Sequence, residues 1–354
     1  MIRASINGFG RIGRTAFRAW AQSPELRREM EIVAINTSGS VGIDAWATLL
    51  KYDTAYGAFK QDFRWEEIRG PKEISDDDPR IGTFHMDGND IPVMAQRSPE
   101  KIPWGDYDVD VVLECTGIFR TEEQAGKHLE GGAKRVLLSA PGKGGDIGLY
   151  LLGVETTGLG EKKISSNASC TTNCVAPVMQ VLHEKLGVEK ALLNTVHSYT
   201  DSQNLQDNSN KKDLYRIRAA AANLIPTSTG AAKATSSVMP DLEGIFDGLA
   251  IRCPTLTGSI SDITAVVKKR TTVEEVNDLF RQAAASERYK GILAASDEPL
   301  VSSDIIGRPE SSIVALDHTM VVGGDLVKIL AWYDNEWAYC MRLVEMAVQL
   351  GKNL

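Results

Sequence analysis

A thiol ahead of a helix is the most suggestive chemistry in this sequence. In Ser166-Asn167-Ala168-Ser169-Cys170-Thr171-Thr172-Asn173-Cys174, small and polar residues lead into a helix-length stretch over residues 170–186. A cysteine at a helix start feels the positive helix end, which favours the thiolate. Cys170 therefore has the placement of a nucleophile. Cys174, one helical turn later, reads as a small buried residue. A disulfide within the pair would distort the helix, because i,i+4 side chains stand roughly 5–6 Å apart at Cβ against roughly 3.8 Å in a disulfide. Zinc is not expected, since no second close Cys or His pair is present. An attacking thiolate needs a base nearby. Of the five histidines, His197 ends an apolar strand run and is followed by polar residues. It reads either as that base or as a satisfied core histidine. His85, His128, His183 and His318 read as surface residues.

Other motifs handle phosphates. Asn7-Gly8-Phe9-Gly10-Arg11-Ile12-Gly13-Arg14 places a G-x-G-x-x-G directly after a strand and before a helix. Gly8 permits the tight turn, Gly10 lets a pyrophosphate approach the backbone, and Gly13 lets helix and strand pack closely. The amides of Arg11 and Ile12 would face the diphosphate at the positive helix end. The second strand ends at Asn36, and Thr37 stands where a carboxylate would normally receive the adenine ribose of NAD. The neutral run Thr37-Ser38-Gly39-Ser40 predicts that NADP is accepted as well as NAD. Thr227-Ser228-Thr229-Gly230-Ala231 is either an ordinary helix cap or a second anion site. Arg252, inside an apolar strand, needs a partner, and a phosphate would supply one.

The elements that must position these groups fall into two patterns. Residues 2–6, 31–36, 109–114 and 135–138 read as largely apolar strands alternating with helical spacing over residues 11–20, 41–50 and 121–129. That alternation predicts an α/β unit of parallel strands with right-handed crossovers. Residues 63–96 read as an irregular or hairpin excursion, with the acidic run at 76–78 as a solvated turn. After residue 169 the runs lengthen: 192–199, 249–256, 260–268, 312–322 and 326–333 alternate like strands of an antiparallel or mixed sheet. Gly323-Gly324 signals a hairpin, residues 272–285 a helix on one face, and residues 336–350 a terminal amphipathic helix.

With 354 residues, 43% hydrophobic and 24% charged, the chain has the composition of a folded globular protein. No apolar run approaches the roughly 20 residues that cross a bilayer, and the first residues carry no secretory pattern. A net charge of −8 disfavours nucleic-acid or acidic-membrane binding. Five scattered cysteines are the wrong arithmetic for a disulfide framework. A reduced, cytoplasmic enzyme is expected.

Taken together, INGFGRIGR, LLKYDTAYG, SNASCTTNC, TVHSYTDSQ, AANLIPTSTGAAKA and WYDNEW resemble the glyceraldehyde-3-phosphate dehydrogenase family over essentially the whole chain. The resemblance implies an N-terminal Rossmann dinucleotide-binding domain over residues 1–168, completed by a C-terminal helix at 334–354. It also implies an α+β catalytic domain with a mixed sheet over residues 169–333, and a homotetramer. By resemblance Cys170 attacks the aldehyde of glyceraldehyde 3-phosphate and His197 takes the proton; hydride leaves for NAD or NADP, and inorganic phosphate releases 1,3-bisphosphoglycerate from the thioester. Thr200 and Arg252 resemble holders of the substrate phosphate, and Ser169, Thr171, Arg216, Thr229 and Gly230 the site of the attacking phosphate. Thr116, Gly117, Ser139 and Asn335 resemble cofactor-lining positions.

Departures from the family pattern point toward its NADP-using branch. Thr37 replaces the acidic ribose ligand, and the loop Asp207-Asn208-Ser209-Asn210-Lys211-Lys212 is one residue longer, with Asn208-Ser209 where NAD-specific members carry Leu-Pro. Ala338, Cys340 and Met341 replace Gly, Ser and Asn. Two rivals remain: an erythrose-4-phosphate dehydrogenase, and a non-catalytic NAD(P)-binding protein.

Overall fold

A computed structural model describes residues 1–209 and 213–354. Asn210, Lys211 and Lys212 of the lengthened loop therefore lie outside the described residues. The chain divides into two compact units: Met1–Tyr150, Thr156–Ala168 and Cys340–Leu354 in the first, Leu151–Glu155 and Ser169–Tyr339 in the second.

The first unit is built on a nine-stranded sheet. β1 (Ile2–Asn7) and β2 (Met30–Asn36) run parallel, with Asn7 opposite Asn36, and both strands are buried almost throughout. Between them lie α1 (Arg11–Gln22) and α2 (Pro24–Glu29), the latter capped by Ser23 with Pro24 in its first turn. Next come α3 (Ile43–Lys51) and a two-residue ladder of β3 (Tyr52–Asp53) with β4 (Gly57–Ala58). The excursion over 63–96 takes the hairpin form of the two alternatives. β5 (Phe63–Glu67), β6 (Arg80–Met86) and β7 (Asn89–Met94) form an antiparallel extension whose last strand joins β2 in parallel. The acidic run lies in the connection between β5 and β6, where Asp76 pairs with Lys101.

On the other side of β1, β8 (Val111–Glu114) pairs in parallel and places Glu114 opposite Asn7. β9 (Arg135–Leu138) follows, after α4 (Glu122–Glu130), which a capping box of Thr121 and Gln124 starts. β10 (Gly148–Leu149) and β11 (Ile164–Ser166) complete that edge. Because β2 and β8 flank β1 on opposite sides, the order reverses there. A doubly wound sheet opens its crevice at the carboxyl ends of those strands.

In the second unit an eight-stranded mixed sheet carries the core. α5 (Cys170–Leu186) buries Val175, Val178, Met179 and Leu182 against Ile263, Val327, Ile329 and Ala331. β12 (Val188–Ser198), β14 (Phe246–Cys253) and β15 (Ser259–Val267) are its centre, β14 parallel to β12 and β15 antiparallel. Two short strands carry too weak an alternation to be read from sequence, β13 (Ile225–Ser228) and β16 (Leu293–Ser296). The helices α6 (Ala231–Val238) and α7 (Val273–Ala284) complete the layer. The run expected as one strand at 312–322 is two, β17 (Ser312–Ala315) and β18 (Met320–Val322), split by a 3-10 turn at Leu316–His318. Gly323 and Gly324, at φ 63° and 84°, turn β18 back into β19 (Leu326–Tyr333), as a tight hairpin requires. The chain ends in α8 (Trp337–Lys352). Among the described residues no helix is long and apolar enough to cross a membrane, and no cluster of His, Cys, Asp and Glu could hold a metal.

Candidate active site

Cys170 is the first residue of α5, and Ser169 caps that helix by accepting the Thr172 N–H at 3.1 Å. Ala168 enters the cap with φ 53°, a left-handed conformation that costs a non-glycine residue on the order of 1–2 kcal/mol. The helix start thus aims Sγ at the end of β12, where His197 Nε2 stands 3.4 Å away. His197 Nδ1 lies 2.7 Å from the Ser198 carbonyl and 2.6 Å from Arg252 Nη1. These contacts demand opposite tautomers. The carbonyl calls for Nδ1–H and leaves Nε2 able to take the thiol proton; the guanidinium calls for Nε2–H facing a thiolate. Either way, sulfur and imidazole lie within reach of one shared proton.

Burial pushes the Cys170 thiol up, and the Arg252 guanidinium pulls it back down. Cys170 as a residue is only partly buried. Burial, followed by the positive charges of Arg252 and Arg216, depresses His197 to about 3 and keeps the resting imidazole neutral. Cys174 is fully buried among core residues. Tyr333, unremarked in the sequence although WYDNEW contains it, joins Thr171 Oγ1 at 3.0 Å to Thr195 Oγ1 at 2.8 Å. Its ring meets the His197 ring edge-on at 6.0 Å.

The phosphate candidates divide by availability. Arg252 is partly buried and its Nε has no partner among the described residues, an orphan donor of the kind an oxyanion would satisfy. Arg216 holds Thr227 Oγ1 through Nε and Nη2, at 3.1 and 2.8 Å, and reaches Ser202 at 3.4 Å. Thr200 bonds Ser202 at 2.8 Å. Gly230 starts α6 without a side-chain cap, and a Cβ there would meet nothing within 4 Å. Thr229 Oγ1 accepts the Ala231 N–H at 3.2 Å. Ser169 and Thr171 are already engaged, the first as the helix cap and the second, buried, with Tyr333. Asn335 is buried, and its Oδ1 accepts from Thr257, Gly258 and Ser259, at 2.8 Å for the last. That commits the oxygen and leaves the Nδ2 donor for another acceptor.

In the first unit, Gly8 adopts φ 91°, and a Cβ on it would come within 2.7 Å of the Thr116 side chain. A Cβ on Gly13 would lie 2.1 Å from the Gly8 carbonyl, whereas one on Gly10 would meet nothing within 4 Å. The turn is therefore closed behind and open in front, a cradle that fits a pyrophosphate. Gly10 has no side chain to cap the amides of Arg11 and Ile12. Gly117, at φ 69°, is similarly open, and the Ser139 N–H bonds the Glu114 carbonyl at 3.0 Å.

In the ribose loop two side chains are engaged within the protein. Asn36 is buried and satisfied by Asn7 and Gln96, and Thr37 is 1% exposed with its hydroxyl on the Met94 carbonyl at 3.0 Å. The exposed hydroxyls are those of Ser38 and Ser40. Beside them Arg97, missed in the sequence, bonds the Ser38 carbonyl at 3.3 Å and has no acidic partner among the described residues. A cation following β7 was the available signal. His128, expected at the surface, is corrected: it is 0% exposed and bonded to Glu114 and Trp104, with Asn7 Nδ2 3.4 Å from its Nε2.

The family described as "Glyceraldehyde 3-phosphate dehydrogenase, NAD binding domain" matches residues 2–122, and its companion, "Glyceraldehyde 3-phosphate dehydrogenase, C-terminal domain", matches residues 169–335. The chain is 46% identical to glyceraldehyde-3-phosphate dehydrogenase of Streptomyces coelicolor, covering 100% of this chain and 99% of that one. It is 45% identical to the chloroplastic glyceraldehyde-3-phosphate dehydrogenase A of Zea mays, over 98% of this chain and 81% of that one. Glyceraldehyde-3-phosphate dehydrogenase 2 of Synechocystis is 43% identical, with 100% and 99% covered. With a cysteine–histidine pair at 3.4 Å, an open glycine turn and matches of this extent, the chain belongs to the glyceraldehyde 3-phosphate dehydrogenase family.

Proposed function

We propose that this chain catalyses the reversible phosphorylating oxidation of glyceraldehyde 3-phosphate to 1,3-bisphosphoglycerate, with Cys170 as nucleophile and His197 as the acid and base. The observation that carries this reading is the Sγ to Nε2 distance of 3.4 Å beneath an arginine whose Nε is orphaned. Cys170 adds to the aldehyde carbon and its proton passes through His197 Nε2 to the new hydroxyl. As that carbon is oxidised, Nε2 takes the hydroxyl proton back and an acyl thioester remains on Sγ. Bound NAD or NADP supplies the hydride acceptor. Inorganic phosphate then attacks the thioester carbonyl and Cys170 leaves as the thiolate, stabilised by Arg252 and the start of α5.

Arg252 and Thr200 hold the substrate phosphate. Arg216, Thr229 and Gly230 hold the attacking phosphate, with Ser169 and Thr171 shaping that site from the helix start. Gly8, Gly10, Arg11, Ile12 and Gly13 cradle the pyrophosphate; Asn36 and Thr37 shape the ribose loop from behind. Thr116, Gly117 and Ser139 line the crevice, and Asn335 offers Nδ2 to the nicotinamide amide. The exposed Ser38 and Ser40 hydroxyls and Arg97, which has no acidic partner among the described residues, favour acceptance of a 2′-phosphate, and hence use of NADP. Exposed Leu192 and Leu249 on the central strands favour assembly into a homotetramer, and five free cysteines favour a reducing compartment such as the cytoplasm.

The test is turnover of glyceraldehyde 3-phosphate and erythrose 4-phosphate, each with and without inorganic phosphate, with NAD and with NADP. Phosphate-dependent oxidation of the triose is expected. Rapid phosphate-independent oxidation of the tetrose overturns the reading.

A further inference from the structure

The buried histidine of the first unit has no part in the chemistry above, yet it is bonded on both ring nitrogens. Trp104 Nε1 donates to His128 Nδ1 at 3.0 Å. An indole N–H can only donate, so Nδ1 carries a lone pair and the ring is neutral, with its proton on Nε2. That proton faces Glu114 Oε2 at 3.0 Å. The same oxygen accepts Asn7 Nδ2–H at 2.5 Å, and Oε1 accepts the Thr116 backbone N–H at 2.8 Å together with the Thr116 hydroxyl. Glu114 and Asn7 are each 2% exposed, and Trp104 and His128 are 0% exposed. A buried carboxylate with no lysine or arginine against it among the described residues is expensive, and these four donors are what make it tolerable.

The carboxylate occupies a particular place. Asn7 and Glu114 face each other across the parallel pair β1 and β8, at the reversal of strand order. Asn7 leads into Gly8 and Thr116 into Gly117, so each of the two glycine turns that open the crevice is tied through its preceding residue to one carboxyl group. The tie has little slack, because Gly8 has no room for a Cβ beside Thr116. Asn7 Oδ1 in turn accepts Asn36 Nδ2–H at 2.7 Å, which fixes the Asn7 amide from its other end.

We propose that Trp104, His128 and Glu114 form a buried positioning relay for dinucleotide binding. The indole sets the imidazole tautomer, the imidazole orients the carboxylate, and the carboxylate keeps Asn7 and Thr116 at the separation the pyrophosphate turn requires. The relay rests on the reading of the first unit as the coenzyme site. It acts through the turns shared by NAD and NADP, not through the adenine ribose.

The test is equilibrium binding of NAD and NADP to the full-length wild type, His128→Leu and His128→Gln, with the phosphate KM and a nitrogen NMR spectrum of His128. Loss of a hydrogen bond to a buried charge predicts roughly tenfold or greater weakening of both coenzymes in His128→Leu, with their ratio and the phosphate KM held within about twofold. His128→Gln, whose amide N–H replaces Nε2–H, is expected to restore binding to within about threefold of the wild type. The wild-type spectrum should show Nδ1 unprotonated, and Trp104→Phe should show both tautomers. Unweakened binding in His128→Leu, no recovery in His128→Gln, or a protonated Nδ1 in the wild type each overturns the relay. If His128→Leu does not fold, the glutamine variant and the wild-type spectrum still decide. Failure of the wild type to bind either coenzyme would instead refute the coenzyme site itself.

Discussion

Two histidines lie buried in this chain, His197 in the second unit and His128 in the first, and their surroundings assign them opposite tasks. His197 has a carbonyl and a guanidinium competing for Nδ1 and a thiol at Nε2, so either nitrogen can carry its proton. His128 has a donor-only indole on one side and a carboxylate on the other, so its proton has one. Ambiguity at a ring nitrogen suits proton transfer; its removal suits positioning. Burial alone distinguishes neither, since both rings are nearly inaccessible.

The most severe way to break the comparison is to remove the thiol. Cys170→Ala is expected to abolish turnover while coenzyme binding, followed by fluorescence, stays at the wild-type level. Residual activity of a few per cent would mean that the covalent route is wrong. Next, His197→Asn removes the Nε2 acid–base and should cost about 10²–10⁴-fold in turnover. A deficit below tenfold would move His197 into the structural class of His128. Third, Arg252→Leu takes away the charge that holds the thiol down, so alkylation of Cys170 at neutral pH should slow by about tenfold or more and its pH profile should shift upward. An unshifted profile would leave the helix start as the sole source of activation.

A smaller effect concerns the coenzyme. Arg97→Ala should lower NADP efficiency relative to NAD by roughly fivefold, the scale of one exposed charge-assisted hydrogen bond. Thr37→Asp is the poorer probe, because it buries a carboxylate against the Met94 carbonyl and confounds specificity with folding. The smallest effect is on stability. His197 titrates near 3 in the folded chain and near 6.5 unfolded, so acid is taken up first by the unfolded state. Stability should fall as pH drops from about 6.5 toward 3, with His197 contributing at most about 1.4 kcal/mol per pH unit. Urea unfolding of His197→Asn should show a shallower slope through that window.

What could be read before the structure follows the range of the interaction that decides it. Local signals carried far: α5 begins at Cys170 because Ser169 caps it, and the strand to Tyr333 and the Gly323-Gly324 turn were legible from alternation and glycine pairing. The nucleophile and the glycine turn are written in consecutive residues. His128 was misread because its partners Glu114 and Trp104 stand 14 and 24 residues away in sequence. α4 also presents few apolar residues to betray its inward face. One hint was present: Glu114 ends the apolar run of β8, and a carboxylate there demands a donor. The engagement of the Thr37 hydroxyl with the Met94 carbonyl was not legible for a related reason, since β7 lies far along the chain. The break at Leu316–His318 has no glycine or proline to announce it, and so 312–322 looked continuous.

His197 and Arg252 are Cα partners across the parallel pair β12 and β14. A strand slipped by a single residue presents every side chain to the opposite side. Adding or deleting one residue within either strand would therefore send the guanidinium through the sheet, away from the imidazole, even in a molecule that still folded. Length variation among functional descendants of this chain should accordingly be confined to the connections, and these two strands should evolve by replacement only.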